Sequence, residues 1–265
     1  MPEPTELKGQ WALILGASSG MGAACARVLA AQGANIIGVH FDTAAAQPGI
    51  DALVAELQGH GVTAEYCNIN AANAKARAET VARIEGLAAG TGVRILLHSL
   101  AFGTLLPYIA PEGEAITARQ IAMTLDVMAN SLVYWTQDLH AAGLLRDGAK
   151  VYAMTSAGDL RVTSSYGAVS AAKCALAAHA RQLAVELAPH GVAVNLLRAG
   201  VTVTPSLERI PEHRELIDKA RSGNPHGRLT TPEDVAEFVA LLSRTDSAWM
   251  TGNVIGIDGG EALTT

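Results

Sequence analysis

The chain has 265 residues, of which 49% are hydrophobic and 17% charged, a composition that excludes an intrinsically disordered protein. The net charge of −6 and the 4% aromatic content argue against a nucleic-acid partner, which requires a basic face. The longest uncharged apolar stretch, residues 95–110, is too short for a membrane span, and no signal-peptide pattern is present. We therefore expect a cytoplasmic protein. No cluster of Cys, His, Asp or Glu has metal-ligand spacing, so no metal is expected.

Apolar runs and amphipathic segments alternate along the chain. Strands are predicted at residues 11–15, 35–41, 63–69, 93–99, 150–156, 192–197 and 253–257, and helices at 23–32, 51–58, 74–89, 118–142, 166–188 and 232–243. This alternation predicts a Rossmann-like α/β fold, with a doubly wound parallel sheet between two helical layers. No linker or repeat divides the chain, so residues 1–265 are expected to form one domain.

A glycine-rich loop, Gly16-Ala-Ser-Ser-Gly-Met-Gly22, lies between the first strand and the first helix. Gly16 permits a tight turn, Gly20 lets the backbone approach a pyrophosphate, and Gly22 lets helix and strand pack closely. The free amides and the positive dipole end of the helix favour phosphate. The spacing is G-x3-G-x-G rather than G-x-G-x-x-G, but its place in the chain predicts a dinucleotide site.

The end of the second strand is predicted to lie near the adenosine ribose of that ligand. An acidic side chain there favours NAD(H), whereas a nearby arginine accommodates the 2′-phosphate of NADP(H). The candidates are His40 and Asp42, and no lysine or arginine occurs between Arg27 and Lys75. The sequence therefore favours NAD(H) and leaves NADP(H) open.

Nearly the whole chain resembles the short-chain dehydrogenase/reductase superfamily. The glycine loop resembles the cofactor loop of that family, Asn68-Ile69 stands where its members contact adenine, and Ile257-Asp-Gly-Gly260 is similar to its closing strand. The usual Tyr-x3-Lys pair is altered, because Val169 stands four residues before Lys173 and the tyrosine is Tyr166. This Tyr-x6-Lys spacing, together with His98-Ser-Leu-Ala101 and Arg198-Ala-Gly200, resembles the divergent branch of enoyl-acyl carrier protein reductases.

That branch implies hydride transfer to the β-carbon of a trans-2-enoyl thioester. Helical spacing places Tyr166 and Lys173 on one face about two turns apart. A phenol farther from the nicotinamide suits an enoyl thioester, whose oxygen lies beyond the reacting carbon. Tyr166 would stabilise or protonate the enolate oxygen, while Lys173 would hold the cofactor ribose and lower the pKa of the phenol.

Ser156 keeps a second reaction open. It lies 17 residues before Lys173, where ordinary members of the family keep a serine that polarises a ketone. A carbonyl or hydroxyl oxidoreductase using Ser156, Tyr166 and Lys173 is therefore the alternative. The third hypothesis is a protein that binds a dinucleotide but catalyses no reaction. His98, at the end of the fourth strand, is expected to be packed rather than catalytic.

The predicted cofactor contacts combine the glycine loop, the ends of strands two and three and positions that the resemblance implies. They are Gly16, Ser18, Ser19, Gly20, Met21, Gly22, His40, Asp42, Asn68, Ile69, Ser99, Ala101, Lys173, Gly200, Thr202 and Thr204. A segment at about 203–228 is expected to cover the substrate. Because acidic and basic side chains interleave there, acyl carrier protein and coenzyme A both stay open as the carrier. The resemblance also implies a homotetramer.

Overall fold

The computed structural model describes residues 6–110 and 112–264. The strands are β1 (Trp11–Leu15), β2 (Asn35–His40), β3 (Ala64–Asn68), β4 (Val93–His98), β5 (Lys150–Thr155), β6 (Ala193–Ala199) and β7 (Val254–Ile257). They form one parallel sheet in the order β3-β2-β1-β4-β5-β6-β7. The predicted doubly wound parallel sheet is confirmed.

Helices cover both faces of this sheet. They are α1 (Gly20–Ala31), α2 (Gln47–Gln58), α3 (Ala74–Leu87), α4 (Ala118–Leu125), α5 (Ser131–Ala141), α6 (Gly167–Leu187), α7 (His213–Gly223), α8 (Pro232–Leu242) and α9 (Glu261–Thr264). One core lies between the sheet and α3, α5 and α6, and the other lies under α1, α2 and α8. Strand β1 is apolar throughout because its side chains alternate between the two cores. None of the described helices is long and apolar enough to cross a membrane.

The predicted long helix over 118–142 runs without a break from Ala118 to Ala141, but its pitch changes on the way, which the sequence did not predict. A π-helical turn at Asp126–Asn130 separates α4 from α5. The Ser131 hydroxyl donates a hydrogen bond to the Val127 carbonyl (2.7 Å), which is the i−4 carbonyl of its own helix. A sequence period alone does not report such a local change of pitch. Elsewhere the predicted bounds differ only at their ends, as in α2, which begins at Gln47 with Pro48 in its first turn.

The sheet order creates a crevice at the carboxyl edge. Because β1 lies between β2 and β4, the connections that leave β1 and β4 run to opposite sides of the sheet. The Ser99 amide nevertheless donates to the Leu15 carbonyl (2.8 Å), so the two strands stay paired to their last residues. The loops that follow them, which begin at Gly16 and Ser99, therefore face each other across the crevice.

Two buried cations lie at the opposite edge of the sheet, where they hold the loop that follows α8. Lys150 Nζ donates to the Ser247 carbonyl (2.7 Å), and the Arg94 guanidinium donates to the carbonyls of Ser243 and Thr245. Burial and, next, the Arg94 charge lower the pKa of Lys150 to about 8. The folded state therefore bears a cost for keeping this amine charged.

We expect the Lys150 contribution to stability to increase with pH between about 8 and its ordinary value of 10.5. In that range the unfolded chain binds more protons than the folded protein, so the free energy of unfolding rises with pH. Denaturant unfolding of the wild type and of Lys150→Met at several pH values measures this. The difference in free energy should move in favour of the wild type as pH rises, and a constant difference would contradict the shift.

Candidate active site

A cleft of about 430 Å³ opens at the carboxyl edge of the sheet. Its walls are the loops that follow β1 to β6, together with the first part of α6, the π-helical turn and Glu261 of α9. Doubly wound sheets bind their ligands at this edge, next to the switch point in the strand order. The topology therefore places the cleft where a ligand is expected.

The glycine loop forms one end of the cleft. Gly16 has a left-handed φ of +87°, and a Cβ on it would lie 2.4 Å from the Ser99 carbonyl oxygen. A Cβ on Gly22 would lie 2.0 Å from the Gly16 carbonyl oxygen, so α1 packs against the loop through the missing side chain. The first amides of α1 have no partners within the helix, and the N-cap residue Ser19 makes no side-chain cap. This cradle fits the phosphates of a dinucleotide.

The end of β2 forms the adenosine side of the site. His40 is buried, and its Nδ1 lies 3.0 Å from Asp42 Oδ2. Both residues line the cleft, as does Ile69, but Asn68 does not. Instead the Asn68 side chain bonds the backbone of Asp42. Its Nδ2 donates to the Asp42 carbonyl (2.9 Å), and its Oδ1 accepts from the Asp42 backbone N–H (3.1 Å). Asn68 thus supports the loop that carries Asp42, and its adenine contact stays a prediction.

Tyr166 stands at the N-cap of α6, one residue before the helix begins. The preceding residue, Ser165, has a left-handed φ of +55°, which non-glycine residues rarely adopt and which costs of order 1 kcal/mol. Burial raises the pKa of the Tyr166 phenol, and a hydrogen bond with the Ser156 side chain opposes that rise. The predicted catalytic serine and tyrosine are thus brought together at the cleft.

Lys173 lies on the same helix and also lines the cleft. It is buried, and its Nζ donates to the Met154 carbonyl (2.7 Å). Burial lowers the pKa of Lys173 to about 8, while the Asp159 charge opposes this shift. In this structure burial raises the pKa of Tyr166 and the contact with Ser156 opposes the rise, while an effect of the Lys173 charge on the phenol stays a prediction.

His98 is a packed residue, in agreement with the expectation. Its side chain is buried at the end of β4, and its Nε2 lies 2.8 Å from the Ser131 hydroxyl. Burial, followed by the Lys173 charge, lowers its pKa to about 3. His98 is therefore neutral at ordinary pH and supports the π-helical turn through Ser131.

The structure brings most of the predicted site residues together. Those that line the cleft are Gly16, Ser18, Ser19, Gly20, Met21, His40, Asp42, Ile69, Ser99, Ala101, Ser156, Tyr166, Lys173, Gly200, Thr202 and Thr204. Gly22 lies behind the loop that it supports, and Asn68 lies outside the cleft.

Sequence reasoning missed several residues of the site. The buried Glu261 accepts a hydrogen bond from the Val201 amide (3.0 Å), and burial raises its pKa. Its position directly after the Asp258-Gly-Gly260 turn was the available signal. Phe102, Leu105, Val127 and Met128 give the cleft an apolar wall. Phe102 and Leu105 lie in the loop after β4, and Val127 and Met128 lie in the π-helical turn. Neither segment contains a motif from which the apolar wall could be predicted.

The sheet order, the glycine cradle and the adjoining cleft define a dinucleotide-binding α/β protein of the Rossmann type. Comparison with known proteins identifies the family within this class to which the chain belongs. A family model described as "Enoyl-(Acyl carrier protein) reductase" matches residues 16–261. The chain belongs to the short-chain dehydrogenase/reductase superfamily, and it is an oxidoreductase that uses a nicotinamide dinucleotide.

Individual relatives match along their whole length. The protein named oxidoreductase UcpA from Salmonella typhimurium is 30% identical, over 97% of this chain and 96% of its own. A short-chain dehydrogenase from Burkholderia cenocepacia, solved in complex with NADP, is 27% identical with a TM-score of 0.81, covering 97% of this chain and all of its own. An enoyl-[acyl-carrier-protein] reductase (NADH) from Aquifex aeolicus shares the fold at 23% identity and a TM-score of 0.81, over 97% of this chain and 98% of its own.

Proposed function

We propose that this protein is an NAD(H)-dependent reductase of trans-2-enoyl thioesters. The observation that carries the proposal is the position of the phenol. Tyr166 stands at the N-cap of α6, and the residue four before Lys173 is Val169, a buried side chain with no proton to transfer. The acid is thereby displaced toward the start of the helix. A thioester oxygen, which lies beyond the carbon that is reduced, suits this displacement better than a ketone oxygen does.

In such a reduction the cofactor would supply the hydride, and Tyr166 would act on the substrate oxygen. A bound nicotinamide dinucleotide supplies the hydride that adds to the β-carbon. Negative charge would then develop on the thioester oxygen, and the Tyr166 phenol, which lines the cleft, would donate a hydrogen bond to that oxygen. Because the pKa of Tyr166 is raised, the phenol keeps its proton at neutral pH and acts as a donor. The α-carbon would take up one proton from solvent to complete the reduction.

Lys173 and the glycine loop would hold the cofactor. The Lys173 amine would bind the ribose hydroxyls with the donors that its bond to the Met154 carbonyl leaves available. Asp42 lies in the cleft with its carboxylate against His40, where it would accept from the ribose 2′-hydroxyl and repel a 2′-phosphate. Arg27 is engaged by Glu56 through both carboxylate oxygens (2.9 Å each). These contacts support NAD(H) over NADP(H).

Residues 203–228 would close over the substrate. Arg209 lies on the cleft in this segment and offers a cation to an anionic carrier, either acyl carrier protein or coenzyme A. The apolar wall that includes Phe102 and Met128 would receive the acyl chain. The homotetramer stays a prediction.

Ketone reduction is the second candidate, and one specific observation favours it. The Ser156 side chain hydrogen bonds with the Tyr166 phenol, and both line the cleft. A serine and a tyrosine in contact can together bind a carbonyl oxygen. The relative UcpA carries only the general description of an oxidoreductase, which is compatible with either substrate.

Oxidation of NADH and NADPH with crotonyl and acetoacetyl thioesters separates the two candidates. We expect turnover with the crotonyl thioester and NADH, and a much smaller rate with the keto thioester. Ser156→Ala should leave enoyl reduction within about threefold, whereas a ketone reductase should lose on the order of 10²-fold. Turnover of the keto thioester alone would reverse the assignment, and tight cofactor binding without turnover of either thioester would contradict both candidates.

A further inference from the structure

A buried ion pair lies next to the catalytic residues and is not part of the proposed chemistry. Asp159 Oδ1 and Oδ2 lie 3.1 and 3.0 Å from Arg198 Nη2, and the Asp159 side chain is only 6% exposed. The Thr155 hydroxyl also donates to Asp159 (3.1 Å). Thr155 and Arg198 are register partners at the ends of β5 and β6, so the pair fastens the carboxylate to the edge of the sheet.

The turn that carries Asp159 also carries Ser156. A short 3-10 helix, Ala157–Asp159, follows Ser156, and the Asp159 amide donates to the Ser156 carbonyl (3.2 Å). Helix α6 is joined to the same turn twice, because the Ser170 hydroxyl donates to the Gly158 carbonyl (2.5 Å) and the Cys174 thiol to the Asp159 carbonyl (3.5 Å). Asp159 is thus the charged end of the segment that connects Ser156 to α6.

Asp159 lies beside Lys173 in the fold. The Lys173 amine donates to the Met154 carbonyl, next to Thr155, whose hydroxyl holds Asp159, and the thiol of the neighbouring Cys174 donates to the Asp159 carbonyl. The Asp159 charge opposes the effect of burial on the pKa of Lys173. The other groups facing Lys173 do not replace it. His98, packed from β4, is neutral, and Tyr166 on the same helix keeps its proton. The Met154 carbonyl offers an acceptor without a full charge.

We infer that Asp159, held by Arg198, is a positioning residue that stabilises the charged form of the Lys173 amine and fixes the turn that carries Ser156. A buried ammonium needs a compensating charge or it gives up its proton. Arg198 and the Thr155 hydroxyl hold the carboxylate at the ends of β5 and β6. The inference concerns the state of Lys173 and not the substrate, and its link to rate rests on the proposed function.

Lysine NMR tests the inference directly. The chain has five lysines, so ¹³Cε-labelled lysine gives few signals, and Lys173→Met assigns the signal of interest. In the wild type the pKa of Lys173 should be about 8. In Asp159→Asn, which keeps the shape but removes the charge, we expect the titration to move to lower pH by about one pH unit. Lys150 is the internal control, because its pKa is also about 8 but its surroundings at the other edge of the sheet do not include Asp159.

The variant Arg198→Met distinguishes the effect of the Asp159 charge from the effect of its ion pair with Arg198. It leaves the Asp159 carboxylate bound to the Thr155 hydroxyl and removes a neighbouring positive charge, so the Lys173 titration should not move to lower pH. A purely structural ion pair would instead give both variants the same effect. The inference is overturned if Asp159→Asn leaves the Lys173 titration unchanged, or if the Lys150 signal moves with it.

The rate supplies a separate readout. The basic limb of the kcat profile with the active thioester should follow the Lys173 titration to lower pH in Asp159→Asn. If the NMR titration moves and the limb does not, the proposed role of Lys173 in turnover fails while the inference about Asp159 stands.

Discussion

Replacing Tyr166 with phenylalanine is expected to lower kcat on the active thioester by about 10²- to 10⁴-fold, the usual contribution of a positioned acid. The phenol is the proton-bearing group beside Ser156 at the cleft, and its raised pKa keeps it a donor. The affinity for NADH should change little, because the lost hydroxyl is assigned to the substrate oxygen. Stopped-flow turnover and fluorescence titration of NADH measure the two quantities.

Tyr152→Phe is the matched control for this variant. Tyr152 is also buried, and its hydroxyl lies 3.4 Å from the Ser243 hydroxyl, away from the residues that line the cleft. It should cost at most about 1 kcal/mol of stability and leave kcat unchanged. If Tyr166→Phe behaved like this control, the phenol would have no part in the reaction.

Most of the fold could be predicted because its signals are local. Strand β1 is buried on both faces, and only an apolar run such as Trp11–Leu15 satisfies two cores at once. Helix α1 ends at Ala31, shortly before Gly33, whose left-handed φ of +85° is typical of a helix end. The π-helical turn at Asp126–Asn130 could not be predicted, because it depends on the hydrogen bonds of Ser131 with its own helix and with His98. Those contacts exist only after β4 has packed.

The parts of the candidate site that could be predicted are those formed by motifs with a fixed spacing along the chain. Gly16 and Lys173 belong to segments whose spacing carries a physical requirement, and both lie on the cleft. The pKa of Tyr166 was not predictable, since it depends on burial and on contact with Ser156. The pairing of Asp159 with Arg198 likewise depends on the register between β5 and β6, which no single segment encodes.

Gly22→Ala is expected to destabilise the protein by roughly 1–3 kcal/mol and to weaken NADH binding by about tenfold or more. Alanine is normally the better helix former by about 1 kcal/mol, so a loss at this position must come from contact. The added Cβ would lie 2.0 Å from the Gly16 carbonyl oxygen, which is backbone and cannot rotate away. Helix α1 must then shift from the glycine loop, and the amides that face the phosphates shift with it.

Gly86→Ala provides the control for helix propensity. Gly86 lies in α3 on an exposed position, and a Cβ there would meet no atom within 4 Å. That variant should gain up to about 1 kcal/mol and bind NADH as the wild type does. Thermal unfolding and NADH titration of the two variants compare the same chemical change in two surroundings. Equal stability and equal NADH affinity in both would show that the close approach of α1 to the Gly16 turn does not shape the cofactor site.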